Sequence, residues 1–206
     1  LLCFTVYGQN VNAGTVNMHG AVRLSKAIKS AGLNNTICFV GSQMSALPYE
    51  TLEKESSIDI VLTNDGVYAL RNLLSLESYN LENLETVKGI GFIKDGEPFL
   101  TLAERPVPQQ RMDQDLPGYA WDLLPYKKRP LDLYRSPMWH ANYVEEERSP
   151  YAALYTSLGC MFKCSFCMIN VVNRNNNDEI GIASNYSGMR YWSPEFIVKE
   201  FDKLVE

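Results

Sequence analysis

The sequence contains no apolar run approaching the roughly 20 residues that a membrane-spanning helix needs, which excludes a helical span. Nothing at its start reads as a basic stretch, an apolar stretch and a small-residue cleavage site, so the expectation is a soluble, cytoplasmic protein with no membrane partner. A surplus of positive charge is also missing. Nineteen Lys and Arg stand against 24 Asp and Glu, a net charge of -5, which argues against a protein held on nucleic acid by phosphate contacts. Cysteine is scarce: there are five, an odd number, and three of them fall within eight residues. That distribution does not suit a disulfide framework; it suits a metal or redox site in a reducing compartment. What is present is enough for a packed core, since the 206 residues are 46% hydrophobic and 21% charged, a size that allows one or two domains.

The first residues, Leu1-Leu2-Cys3-Phe4-Thr5-Val6, read as a buried parallel strand already under way. At the other end Ser193-Pro194 reads as a helix start, with Ile197, Phe201, Leu204 and Val205 on one face and no stop signal after them. The expected picture is a central segment of a longer polypeptide. Between these ends a Gly- and Asn-rich loop, Tyr7 to Gly14, precedes a helix over 16–31 that buries Met18, Val22 and Ile28 and closes at Gly32. Strands are expected at 36–40 and 58–63, a turn at 41–46, a short helix at 47–54, and a helix after Asp65-Gly66 carrying Val67, Leu70, Leu73 and Leu74. This alternation has the lengths of βαβ units around a parallel sheet. Asp95-Gly96 between two apolar runs predicts a hairpin.

Eight of the ten prolines lie between Pro98 and Pro150, which rules out central strand or long helix there. Tyr119, Trp121, Tyr126, Tyr134, Trp139 and Tyr143 make this stretch an ordered connection that packs on its neighbours. Domains are accordingly expected at 1–102, with a linker at 103–150 and a further domain from 151 to 206. An apolar strand over 152–156 runs into the cysteines, and the tract Asn173-Arg174-Asn175-Asn176-Asn177-Asp178 separates them from the last helix.

The cysteines stand in Gly159-Cys160-Met161-Phe162-Lys163-Cys164-Ser165-Phe166-Cys167. A structural zinc site takes four protein ligands, and an ordinary [4Fe-4S] electron carrier takes four cysteines. Here there are three with no fourth nearby, which leaves an iron open for catalysis. The competing readings are a structural zinc, with His140 as fourth ligand, and a regulatory thiol cluster.

The spacing, with an aromatic directly before the third cysteine, resembles the radical S-adenosylmethionine superfamily. The resemblance implies that Cys160, Cys164 and Cys167 bind a [4Fe-4S] cluster, and that Phe166 sits beside the adenine of S-adenosylmethionine. It implies that the amino and carboxylate groups of this cofactor chelate the fourth iron. It further implies reductive cleavage to methionine and a 5′-deoxyadenosyl radical, an electron donor such as flavodoxin or ferredoxin, and a small-molecule substrate. The family core is a partial (βα) barrel of the TIM type, with active-site loops at the carboxyl strand ends; residues 152–156 would be its first strand and 194–206 its first helix.

The first half adds a second likeness. Val40-Gly41-Ser42-Gln43-Met44-Ser45-Ala46-Leu47-Pro48-Tyr49-Glu50-Thr51-Leu52, then Ile58-Asp59-Ile60-Val61-Leu62 and Asn64-Asp65-Gly66, look like the later part of a cobalamin-binding domain fused ahead of such barrels. The fold class so implied is α/β: a partial doubly wound, Rossmann-like cobalamin-binding domain followed by the start of a radical S-adenosylmethionine barrel. A ligand of an open parallel sheet lies beyond the carboxyl strand ends, so Gly41, Ser42, Ser45, Asp65 and Gly66 are the expected cobalamin contacts, with Gly and Ser letting backbone approach a flat ring. Members of this class often carry two glycines and Pro-His where this chain has Gly41-Ser42-Gln43-Met44, and a Gly-Glu-Gly-Glu-like turn where it has Asn64-Asp65-Gly66-Val67. An Asp-x-His-x-x-Gly motif for a lower axial histidine does not occur in these residues, and His19 reads as an ordinary helix residue. The implied activity is methylation of an unactivated carbon, or of phosphorus, by methylcobalamin. The alternatives are a radical rearrangement, ring closure or oxidation with a degenerate cobalamin domain, and a non-catalytic metal-binding module. Asp113 with Asp115, the run Lys127-Lys128-Arg129, Tyr186 and Arg190 read as turn, surface or loop residues.

Overall fold

Runs of apolar residues separated by helices build a sheet buried on both faces. In the computed structural model the described residues are 1–7, 17–125, 128, 154–162, 164, 167–184 and 188–205. They divide into two compact units, Leu1–Pro108 with Gly159–Met189, and Gln109–Leu158 with Arg190–Glu206.

In the first unit β1 (Leu2–Val6), β2 (Ile37–Gly41) and β3 (Ile60–Leu62) pair in parallel. Strand β4 (Ile90–Lys94) adds antiparallel to β3, and β5 (Glu97–Leu100) antiparallel to β4, in the spatial order β1-β2-β3-β4-β5. Helix α1 (Met18–Ser30) links β1 to β2. Two short helices, α2 (Ser42–Ala46) and α3 (Pro48–Lys54), link β2 to β3, and α4 (Val67–Leu74) and α5 (Leu81–Glu85) link β3 to β4. Because successive strand side chains point to opposite faces, Cys38, Val40, Ile60 and Leu62 pack with Ala69, Leu73 and Leu84 of α4 and α5. Ile37, Phe39 and Val61 face the other way, onto Met18, Val22, Met44 and Leu52 of the first three helices. Helices therefore cover both faces, the Rossmann-like, doubly wound α/β arrangement expected. Each fully buried Ile, Leu or Phe in these layers contributes about 1.5–3 kcal/mol.

Four local expectations are corrected. The stretch 41–46 is not a plain turn: Gly41, at φ 152°, turns the chain out of β2, and Ser42–Ala46 closes into a helix whose end donates from the Leu47 N–H to the Gln43 carbonyl at 2.8 Å. Strand β3 is shorter than 58–63. The Asp59 carboxylate instead accepts from the Ile37 N–H and from Lys29, both at 2.7 Å, and tethers the entry to the strand. Leu74, read with Val67, Leu70 and Leu73 as one of the apolar residues of its helix, is 60% exposed because α4 turns Tyr68, Ala69 and Leu73 inward. Strand β1 is an edge strand with Cys3 and Thr5 exposed, not a strand buried on both faces. Helix α5, capped by the Asn80 side chain accepting from the Asn83 N–H at 2.9 Å, has no counterpart in the sequence reading. The hairpin forms as expected, with Asp95 at φ 53° and Gly96 at φ 86°, the pair of positive φ values a two-residue turn of this hand needs.

In the second unit a 3-10 turn at Gln109–Arg111, α6 (Met112–Asp115) and a 3-10 turn at Trp121–Leu123 precede β6 (Ser157–Leu158), which pairs antiparallel with β7 (Arg190–Tyr191). Of the strand expected at 152–156, residues 152 and 153 lie outside the described residues, and 154–156 are not in a strand; the pairing found here is that of Ser157 and Leu158. Helix α7 (Pro194–Val205) starts as read, with Ser193 Oγ accepting from the Phe196 N–H at 3.1 Å. Its inner face differs, since Phe201 and Val205 are exposed and Glu200 is buried. No helix among the described residues is long and apolar enough to cross a membrane.

Candidate functional site

The cysteine segment is tied at its start by Gly159, whose φ is 90° and whose missing Cβ would fall 2.3 Å from the Gly188 carbonyl oxygen. The sulfur of Cys160 accepts from the Phe162 N–H at 3.4 Å, and the Cys167 N–H donates to the Cys164 carbonyl at 3.1 Å. A 3-10 turn at Met168–Asn170 follows; there the buried Asn170 donates from Nδ2 to the Phe162 carbonyl at 3.3 Å and accepts from the Ser184 N–H at 2.8 Å. The loop therefore closes on itself. Cys164 is exposed, Cys160 and Cys167 are half-buried, and none is in a disulfide. As a donor set, three thiols outside any disulfide, with an N–H···S bond to Cys160, suit a soft metal cluster. Among the described residues, however, no three His, Cys, Asp or Glu side chains are gathered as a metal cage. Lys163, Ser165, Phe166, His140 and Tyr186 lie outside the described residues. Cys3 and Cys38, read as belonging to separate strands, are register partners across β1 and β2. The hydrogen bond they share, together with burial, pushes the Cys38 thiol up.

The second candidate region is the carboxyl edge of the parallel strands. Gly41 leaves no room for a side chain, because a Cβ there would fall 2.1 Å from the Val6 carbonyl oxygen. At Gly66, φ 72°, a Cβ would fall 2.5 Å from Val40 Cγ2. Both glycines are required by the packing of the sheet itself. Ser45 is buried and directs its hydroxyl to the Asn64 carbonyl at 3.5 Å, while Asp65 accepts from the Val107 N–H at 3.1 Å. Ser42 Oγ, at the tip of β2, is buried without a hydrogen-bond partner.

The asparagine tract that follows the cysteines rests on this edge. Asn64, at φ 57° and 4% exposed, holds both backbone groups of one residue: its Oδ1 accepts from the Arg174 N–H at 3.1 Å and its Nδ2 donates to the Arg174 carbonyl at 2.9 Å. The same Nδ2 donates to the Glu104 carbonyl at 2.6 Å. Asn176 Oδ1 accepts from the Ala103 N–H at 2.6 Å, and Gly181 passes so close to the Ala46 carbonyl that a Cβ would be 3.1 Å from it. Asp178 accepts from the Asn175 N–H and from the Ser184 hydroxyl, each at 2.7 Å, and these bonds hold its carboxyl below its ordinary range. Burial draws the Arg174 guanidinium down. Arg174 Nε and Asn173 Oδ1 are buried without partners. Sequence reading missed Asn64 and Arg174 as partners; a run of side chains that each carry donor and acceptor was the available signal.

In the second unit Asp113, Asp115 and Glu200 are committed to structure. Asp113 accepts from the Ser193 N–H at 2.9 Å, and Asp115 pairs with Arg111 at 2.9 Å. Glu200 accepts from the Tyr119 N–H and Trp121 Nε1–H, both at 3.2 Å, and from Lys203. Gln109 bonds both backbone groups of Tyr191, at 2.8 and 2.9 Å.

The fold and the loop define an α/β unit with a cysteine-bearing segment whose following asparagine tract rests on the sheet edge. No protein-family profile matches the chain. Over 157 residues, 76% of the chain, it is 25% identical to an uncharacterized methyltransferase of Pyrococcus horikoshii, and that match spans 30% of the relative. Its fold is similar to that of part of OxsB, a cobalamin-dependent S-adenosylmethionine radical enzyme solved with aqua-cobalamin and S-adenosylmethionine bound. The superposition has a TM-score of 0.51 and 19% identity, covering 98% of this chain and 22% of OxsB.

Proposed function

We propose that this chain forms part of a cobalamin-dependent radical S-adenosylmethionine enzyme that acts as a methyltransferase. Cys160, Cys164 and Cys167 hold a [4Fe-4S] cluster whose open iron takes the amino and carboxylate groups of S-adenosylmethionine, and Phe166 lies beside the adenine. One electron, delivered by a flavodoxin or ferredoxin, breaks a carbon–sulfur bond and gives methionine and the 5′-deoxyadenosyl radical. That radical abstracts a hydrogen atom from a small-molecule substrate, and methylcobalamin at the sheet edge supplies the methyl group. The cofactors carry the difficult chemistry; this chain binds, orients and shields them.

One observation carries the reading: the three-cysteine segment folds into the same compact unit as the carboxyl edge of the sheet. The likeness of fold to OxsB and the identity to an uncharacterized methyltransferase support it. For cobalamin, the edge offers the orphaned, buried Ser42 hydroxyl, with the unpartnered Asn173 and Arg174 groups on the loop above it.

A second reading has its own observation. Gly41, Asp65 and Gly66 are already engaged by Val6, Val107 and Val40 of the chain itself, which favours a radical enzyme of rearrangement, cyclisation or oxidation with a cobalamin domain kept as scaffold. The test is electron paramagnetic resonance of the reconstituted, dithionite-reduced complete polypeptide. A [4Fe-4S] signal that shifts with S-adenosylmethionine and is lost in Cys164→Ala supports the radical chemistry. Methyl transfer from labelled S-adenosylmethionine, with a bound-corrinoid spectrum, separates the first reading from the second. Zinc in place of iron overturns both and leaves a metal-binding module.

A further inference from the structure

The loop that Asn64 fastens to the sheet carries a buried cation that makes no ion pair among the described residues. Arg174 is 8% exposed, and both of its main-chain polar groups are held by the Asn64 side chain, so the point from which its side chain departs is fixed. Its Nη1 reaches the Asn175 carbonyl at 3.4 Å, and its Nε is buried with no partner. Among the described residues no carboxylate forms an ion pair with it. Asp178 and Tyr49 are near enough to act on its charge, yet the Asp178 carboxylate is taken by the Asn175 N–H and the Ser184 hydroxyl.

A guanidinium stays protonated under physiological conditions. Taken out of water it needs an anion and hydrogen-bond acceptors to offset desolvation. Asn175 engages Nη1, and the Nε–Nη2 edge of a guanidinium is a planar fork that matches two oxygens of a carboxylate or a phosphate.

We infer that Arg174 is an oxyanion-binding residue, gripping a carboxylate or phosphate of the ligand held at the carboxyl edge of the sheet through its Nε–Nη2 fork. The inference rests on the functional reading above, which supplies two sources of that chemistry. Cobalamin carries a phosphodiester in its nucleotide tail, and S-adenosylmethionine carries a carboxylate. Asn64 is a positioning residue in this scheme, since it acts only by fixing the Arg174 backbone.

The test is equilibrium binding of hydroxocobalamin, of cobinamide, which lacks the phosphodiester tail, and of S-adenosylmethionine to the reconstituted complete polypeptide and its R174Q and R174K variants. R174Q weakens the oxyanion-bearing ligand about tenfold to a hundredfold, the loss expected for charge-assisted hydrogen bonds, and R174K recovers part of it. Weaker cobalamin with unchanged cobinamide assigns the phosphodiester; weaker S-adenosylmethionine with both corrinoids unchanged assigns the carboxylate. The ligand-free R174Q protein melts at or above the wild-type temperature, because an uncompensated buried charge has gone. Unchanged binding of all three ligands to R174Q overturns the inference. So does an equal loss for cobinamide, or a general loss together with a lower melting temperature in the ligand-free state, which would mark a purely structural residue. Wild-type protein that binds neither cobalamin nor S-adenosylmethionine overturns the functional reading and this inference with it.

Discussion

Replacing Asn64 by Ala releases the asparagine tract from the sheet, and the size of the effect follows from three bonds. The side chain makes hydrogen bonds of 3.1, 2.9 and 2.6 Å to the Arg174 N–H, the Arg174 carbonyl and the Glu104 carbonyl while only 4% of the residue is exposed. Each contributes about 0.5–1.5 kcal/mol net, and the alanine leaves three backbone groups to find water. Alanine also occupies φ 57° at a further cost of roughly 1 kcal/mol, which asparagine largely escapes. Allowing for coupling among bonds that share one side chain, the loop loses about 2–4 kcal/mol of protection. Arg174 is a trypsin site, so the opening is read directly as cleavage after residue 174. Where opening and closing are fast compared with cleavage, the rate tracks the open population, and Asn64→Ala raises it about thirtyfold to several hundredfold. Asn64→Gly, which removes the φ penalty but not the lost bonds, falls between it and wild type. Asn64→Asp is at least as severe as alanine, because an acceptor then faces two carbonyls. Cleavage after Arg174 at the wild-type rate in Asn64→Ala would refute the latch.

Glu200→Ala destabilises α7 by about 1–3 kcal/mol, since Trp121 Nε1–H and the Tyr119 N–H lose a charged acceptor; urea titration followed by tryptophan fluorescence reads it. Burial alone would raise the Glu200 carboxyl, but Lys203, Tyr119 and Trp121 outweigh burial and hold it below the ordinary carboxylate range. Its contribution is therefore present above about pH 4.5 and disappears as pH falls through the lower folded value, a dependence that Glu200→Gln abolishes. Alkylation of the native protein labels the exposed Cys3 and leaves the buried Cys38 unmodified, checked by peptide mass mapping; labelling of Cys38 at the rate of Cys3 would contradict the packing. Gly41→Ala costs more than about 1–3 kcal/mol, because the new Cβ would lie 2.1 Å from the Val6 carbonyl oxygen, and it lowers the melting temperature whether or not a corrinoid is present.

Alternation of apolar runs with helical periods was enough to place three parallel strands and their crossovers, and Asp95-Gly96 and Ser193-Pro194 marked the hairpin and the last helix correctly. These signals are local: a turn or cap is decided by residues that touch along the chain. The failures are of a different kind. The stretch from Ser42 to Ala46 has turn-like composition but becomes helical, because Gly41 redirects the backbone out of the strand and Met44 finds a place in the core. Glu200 looks like one more charge on an amphipathic helix, and only the fold brings Trp121, 79 positions away, to it. Asn64 is recognisable as a turn residue. That it reaches across 110 positions to Arg174 is a fact of tertiary structure that no window of sequence contains. The three cysteines are singled out by spacing alone, and among the described residues they are not gathered into a metal cage.

The docking of the asparagine tract changes what the sheet edge can do. In an open parallel sheet the carboxyl edge is a crevice in which ligands lie, and here part of that edge is covered by residues 173–181 of the same chain, through Asn64, Ala103 and Ala46. A cover built from backbone clamped by an asparagine is rigid, so whatever binds beneath it is read by groups whose positions are set before the ligand arrives, which lowers the ordering cost of binding. The same clamp gives the cysteine segment a fixed end, because Asn170 and Ser184 close the loop that the clamp anchors. The proposed radical chemistry would need that economy of motion: a radical intermediate is quenched by any mobile hydrogen donor, and exclusion of water and of wandering side chains would be the protein's share of the chemistry. Loosening Asn64 would then raise uncoupled formation of 5′-deoxyadenosine relative to product more than it lowers cluster content. A structural defect alone would lower cluster content and 5′-deoxyadenosine together, and the ratio of the two, measured on the reconstituted Asn64→Ala protein, distinguishes them.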